Sequence, residues 1–90
     1  METDMTDCIF CKIANGQVPS KKVYEDEHVF AFHDIHPIAP VHFLIIPKAH
    51  LPSLYDCESG NEPALGRMLS VAGRLAREQG AADGFRTIIN

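Results

Sequence analysis

Apolar side chains recur along this chain with two different spacings, and those spacings divide it into elements. Asp7 is placed to cap a short helix over residues 8–14, in which Ile9, Phe10 and Ile13 fall at i, i+1 and i+4 and share a face. Gly16 is its stop signal, and Val18-Pro19 ends the unit because a residue before proline avoids helical geometry. Residues 22–25 and 28–33 are short runs rich in Val, Phe and Tyr, joined by the polar turn Asp26-Glu27, and they predict an antiparallel hairpin. Pro37 and Pro40 make residues 36–40 a loop. Residues 41–46 form the most apolar run and predict a central strand stopped by Pro47. A long helix follows, with Asn61 as N-cap, Glu62 and Pro63 in its first turn and Gly80 at its end. Its buried stripe is expected to be Leu65, Met68, Leu69, Ala72, Leu75 and Ala76. Residues 85–90 alternate like a fourth strand.

Four strands and two helices in this order predict an α+β fold, an antiparallel sheet with one short and one long helix on one side. The last strand has no turn after it, and a bare strand edge in a small sheet needs a cover. A missing pairing element, a second chain or an irregular replacement is therefore expected there. Residues 1–7 are acidic and predict a flexible N-terminal segment before a domain over residues 8–90.

Composition narrows the function classes. The 90 residues suffice for one domain, and 46% hydrophobic against 22% charged excludes a disordered chain. A net charge of −4 with no basic run disfavours nucleic acid as a partner. Phe43-Leu44-Ile45-Ile46 is far too short to span a bilayer, so no membrane partner is expected. Three cysteines close no disulfide framework, which fits a reducing compartment, the cytoplasm.

Five histidines supply most of the candidate chemistry. His28 reads as a solvated strand start and His33 as an ordinary hydrogen-bonded residue beside Asp34; His36 is a loop residue. His42 differs, because an imidazole opening the most apolar strand needs a hydrogen-bond partner or a cleft to face. Cys8 and Cys11 form a C-x-x-C pair with three readings: two zinc ligands, a redox dithiol, or two small side chains packed in the core. The redox reading lacks the preceding strand that such motifs follow. Cys57 is isolated and expected to be inert. No P-loop, G-x-G-x-x-G, G-x-S-x-G or H-E-x-x-H occurs.

The order of short words adds more than any one of them. Cys8-Ile9-Phe10-Cys11-Lys12-Ile13, Val23-Tyr24-Glu25-Asp26, Ala31-Phe32-His33-Asp34-Ile35, Pro37, Ala39-Pro40, His42-Phe43-Leu44-Ile45-Ile46-Pro47-Lys48 and His50 together resemble the histidine triad (HIT) family. The resemblance is greatest to its Hint branch of purine nucleotide phosphoramidases. It implies an antiparallel sheet in a homodimer and a pocket for a purine nucleoside monophosphate or phosphoramidate. By position it implies that Ile9, Phe10, Ile13, Val18, Phe32 and Ile35 line the base site, that Asp34 holds the ribose hydroxyls and that Asn90 lies near phosphate and ribose. In bacterial relatives the same pattern implies structural zinc on Cys8, Cys11 and His50, with a further histidine near the triad.

One departure limits the implied activity. The family's H-x-H-x-H motif, whose middle histidine attacks the α-phosphorus to form a nucleotidyl-histidine, would follow Asn90, and no H-x-H occurs in these residues. His42 would be only a supporting residue beside that motif. The expected protein is thus a HIT-like domain incomplete at its C-terminus, without the triad-bearing strand and inactive as a phosphoramidase. The alternative is a non-catalytic zinc- or nucleotide-binding dimeric module.

Overall fold

Glycine sets the length of both helices. A computed structural model of the protein describes residues 8–35, 37, 39–51, 53–81 and 83–89. The expected cap Asp7, the N-terminal segment, His36 and Asn90 lie outside the described residues. Helix α1 spans Ile9–Ala14 and helix α2 spans Glu62–Glu78. Gly16 (φ 79°) and Gly80 (φ 102°) follow them in the left-handed region that side chains disfavour. Gly16 N–H donates to Ile13 O (3.1 Å) and Gln17 N–H to Lys12 O (2.8 Å). Gly80 N–H donates to Arg77 O (3.1 Å) and Ala81 N–H to Ala76 O (2.8 Å) in the same pairing. Each helix end thereby satisfies carbonyls that would otherwise be orphaned.

Three strands, β1 (Lys22–Glu25), β2 (Val29–His33) and β3 (Phe43–Pro47), form an antiparallel sheet in the order β1-β2-β3. The most apolar run is therefore an edge strand of the described sheet, and β2 is central. Its residues Val29, Phe30, Ala31 and Phe32 are all buried. Phe30 and Phe32 pack with Ile13 of α1 and Ile46, while Val29 and Ala31 pack with Val71 and Leu75 of α2. The two helices thus cover opposite faces, not one side as the pattern predicts. A strand with apolar residues at both parities needs a cover on each face.

Several expectations are corrected by this packing. Strand β2 starts at Val29 and β3 at Phe43, one and two residues later than predicted, and β3 includes Pro47. In α1 the buried residues are Cys11 and Ile13, whereas Ile9 and Phe10 are exposed. In α2 Val71 joins the core and Leu69 does not, because the helix meets the sheet through Val71 and Leu75, with Met68 packed beside them. Asn61 makes no side-chain cap on α2. Its Oδ1 instead accepts from Glu58 N–H (2.8 Å), bracing the 3-10 turn Ser59–Asn61 that leads into the helix. Residues 85–89 are not a strand: they make no ladder with the described sheet, and Phe85, Ile88 and Ile89 are exposed. Alternation alone does not make a strand of a segment that pairs with nothing. Among the described residues no helix is long and apolar enough to cross a membrane.

A register shift in β1 ties the hairpin to α2. Lys22 pairs with Phe32 but Tyr24 with Ala31, so a bulge at Val23 lets consecutive residues Val23 and Tyr24 pack on the α2 face. The Arg74 guanidinium lies 4.8 Å from the Tyr24 ring centre, a cation–π contact. Asp26 gathers the turn: Oδ1 accepts from His28 N–H (2.8 Å) and Val29 N–H (3.0 Å), and Oδ2 from Tyr24 O–H (2.8 Å). Arg67 Nη1 of α2 reaches the same oxygen at 3.4 Å.

Burial alone would raise the Asp26 pKa, but the His28 amide, Tyr24 hydroxyl, Val29 amide and Arg67 charge outweigh it and hold it at about 2, below the ordinary 3.8. A depressed carboxyl contributes stability above its unfolded pKa that is lost as pH falls through the folded value. Asp26→Asn should lower the denaturant midpoint at pH 7, and its deficit should shrink between about pH 3.8 and about pH 2. Equal deficits at pH 7 and pH 2 would contradict this role.

Candidate functional site

Strands β2 and β3 bring two polar residues together where their ladder ends. His33 pairs with Phe43, so the next opposed positions are Asp34 and His42. Asp34 N–H donates to His42 O at 3.3 Å, carrying the ladder one step further. Residues directly opposite on an antiparallel pair share a face, and His42 Nε2 lies 3.2 Å from Asp34 Oδ2. A carboxylate only accepts, so this contact is attractive when Nε2 carries the proton. Both side chains are about one quarter exposed (25% and 24%), open enough to meet a solute.

The alternation that turns Phe30 and Phe32 toward α1 carries Asp34 to the same face. That face holds the apolar group Ile13, Phe32 and Ile46, with Val18 and Leu44 packed against it. Ile9, Phe10 and Ile35 remain outside this group, Ile35 being 83% exposed. An open depression of about 440 Å³ lies beyond the end of α1, lined by Ile13, Val18, Lys22, Glu25 and Phe30 among others. It shares Ile13 and Val18 with the expected base site, but Phe32, Asp34 and Ile35 do not line it.

A second cluster forms at the start of α1. Cys8 is the N-cap, its sulfur accepting from Cys11 N–H at 3.4 Å. Cys11 Sγ lies 3.1 Å from His50 Nδ1, and the ligand atoms of Cys8, Cys11 and His50 all fall within 4.8 Å of one another. His50 Nε2 is buried with no hydrogen-bond partner among the described residues. The two thiols are driven apart electrostatically. Burial pushes Cys8 up, but the Cys11 amide and thiol and the Phe10 amide outweigh it and leave Cys8 below the ordinary thiol value. Burial and the neighbouring Cys8 sulfur push Cys11 up. Cys57 is a free thiol apart from this cluster, 4.0 Å from Ser53 O.

Comparison with known proteins identifies the family and the fold. Residues 7–89 match the family described as "Scavenger mRNA decapping enzyme C-term binding". The chain is 45% identical over 86 residues to Protein HitA of Neisseria gonorrhoeae, covering 96% of this chain and 80% of that protein. It is 48% identical over 83 residues to the purine nucleoside phosphoramidase of Escherichia coli K12, covering 91% of this chain and 70% of the relative. A histidine triad protein from Clostridium difficile superposes with a TM-score of 0.87 at 47% identity, covering 100% of this chain and 77% of that one. A HIT family hydrolase from Legionella pneumophila gives 0.86 at 40% identity, over 93% and 78%. The chain belongs to the histidine triad family.

Within this histidine triad fold, Ile13, Val18 and Phe32 are gathered in one cluster, Asp34 is set beside His42, and Cys8, Cys11 and His50 converge. Two features escaped the sequence reading. Leu44 joins the apolar group through its register with Phe32. The Asp34–His42 pair was also missed, although both residues stand out individually. Its signal was available: two strands flanking a short loop place the residues just inside the loop opposite one another.

Proposed function

We propose that this chain is the purine nucleoside monophosphate-binding body of a HIT-family nucleotide hydrolase of the phosphoramidase type. The observation that carries the reading is the Asp34 carboxylate standing on the same sheet face as the Ile13 and Phe32 apolar group. An apolar surface accepts a flat purine, and a carboxylate accepts two charge-assisted hydrogen bonds from a ribose diol. Ile9, Phe10 and Ile35 are exposed apolar side chains, which gain from any ligand that covers them. The 48%-identical purine nucleoside phosphoramidase supports the substrate class.

The covalent step needs two imidazoles at period two on one strand, and no H-x-H occurs in these 90 residues. The chain therefore binds and orients the nucleotide, and His42 stands in support. Calorimetric titration should show AMP binding, weakened by Asp34→Ala. Turnover of an adenosine phosphoramidate should fall below that of a triad-bearing relative by on the order of 10⁴-fold or more. Normal turnover would overturn the inactivity; no AMP binding would leave the non-catalytic metal-binding module as the better reading.

The same reading includes a structural zinc ion. Tetrahedral zinc with Zn–S of ~2.3 Å needs its sulfurs roughly 3.8 Å apart, a contraction of about 1 Å or less from the cluster as it stands. His50 faces Cys11 through Nδ1, the nitrogen that would bind metal, and the lowered Cys8 pKa favours its thiolate. Zinc there would staple α1 to the segment after β3, with a fourth ligand from beyond these three residues. Metal analysis should find about one zinc per chain, lost together with several degrees of Tm in Cys11→Ser. A metal-free protein with unchanged Tm after zinc addition would refute the site.

The homodimer is part of the proposal as well. The outer edges of β1 and β3 are unpaired by strands among the described residues, and Leu69, Phe85, Ile88 and Ile89 are exposed. Light scattering at micromolar concentration should return twice the 10.0 kDa chain mass. We also assign the protein to the cytoplasm, where its three free thiols stay reduced; recovery from an oxidising compartment would contradict that.

A further inference from the structure

We propose that His42 is a positioning residue that fixes the Asp34 carboxylate toward the ribose and so sets the preference for ribonucleotides over 2′-deoxyribonucleotides. The inference rests on the nucleotide reading above and goes beyond it by naming the residue that makes Asp34 selective.

Asp34 is the first residue beyond β2, held through its backbone by the 3.3 Å bond to His42 O. A backbone bond fixes where the side chain starts and leaves its rotamer to be decided by what the carboxylate touches. One group it touches is His42 Nε2, at 3.2 Å. His42 is well placed to select that rotamer because it stands directly across the ladder, on the register that continues from His33 and Phe43. Its own position is secured by β3, which begins at the next residue. The imidazole thus acts from a strand end, whose backbone is paired, on a residue at the mouth of a loop.

The contact is compatible with ribose binding. An ionised carboxylate has roughly four lone-pair sites, and an Nε2–H donor takes one of them, so accepting His42 does not preclude accepting two hydroxyls. A vicinal diol can use both of its hydroxyls only when the carboxylate plane is oriented; a 2′-deoxyribose has lost one donor and gains less from the orientation. Loss of His42 should therefore weaken AMP much more than 2′-deoxy-AMP. A purely structural role would weaken both alike, because base and phosphate are common to the two ligands.

The test is the ratio of calorimetric Kd values for AMP and 2′-deoxy-AMP in the unaltered chain and in His42→Ala, His42→Leu and His42→Gln. The unaltered chain should favour AMP by ~10-fold or more, the scale of one hydrogen bond to a charged group. His42→Ala and His42→Leu should reduce the preference to about 2-fold or less, Leu doing so while filling the space. His42→Gln, whose amide N–H has a reach similar to Nε2–H, should restore most of it. A preference retained in Ala or Leu, or lost in Gln despite an unchanged melting curve, overturns the inference and leaves the nucleotide reading standing. Equal affinity for the two nucleotides in the unaltered chain, or none for either, overturns the reading itself and the inference with it.

Discussion

The double-sided burial of β2 is the constraint on which the remaining architecture depends. Val29, Phe30, Ala31 and Phe32 leave no polar face, so the strand is stable only with a helix on each side. Because successive residues face opposite ways, one strand sorts the molecule into two halves. Phe30 and Phe32 belong with α1 and the candidate nucleotide face; Val29 and Ala31 belong with α2. A slip of one residue against β3 would exchange those halves and draw Asp34 away from His42. The buried ladder therefore specifies core and site through a single register.

Strand β3 carries that register outward in two directions. At its start, His42 meets Asp34; past its end, Lys48 N–H donates to His28 O at 2.9 Å, and the chain then turns to bring His50 beside Cys11. Helix α1 is held from one side by its own Schellman-type C-terminus and from the other by the sulfur of Cys8. The short helix is too brief to persist alone. Its position comes from Ile13 in the sheet cluster and from the cysteine–histidine contact. The side of the sheet facing α2 is secured differently, by the Val23 bulge, the Tyr24–Arg74 contact and the Asp26 hub.

Local chemistry was the legible part of the sequence. Gly16 and Gly80 mark helix ends because few other residues accept the required φ, and Asp26-Glu27 marks a turn because the Asp26 carboxylate can gather amides locally. The family resemblance, carried by the ordered words from Cys8 to His50, likewise agrees with the fold and with the relatives. What could not be read was decided by nonlocal packing. Leu69 and Val71 both suit a helical stripe, and only the angle at which α2 meets β2 decides between them. Residues 85–89 alternate correctly for a strand, but alternation says nothing about whether the segment docks on an edge. The opposite placement of the helices follows from both parities of β2 being apolar, a fact visible in Val29-Phe30-Ala31-Phe32 once the strand is taken as central.

The sulfur cap of α1 has a mechanical meaning for the face that carries Asp34. Cys8 and Cys11 flank Ile9 and Phe10, and Ile13 follows half a turn beyond Cys11 on the same six-residue helix. Cys11 and Ile13 are both buried on that helix, so the sulfur cluster and the apolar wall share one short element.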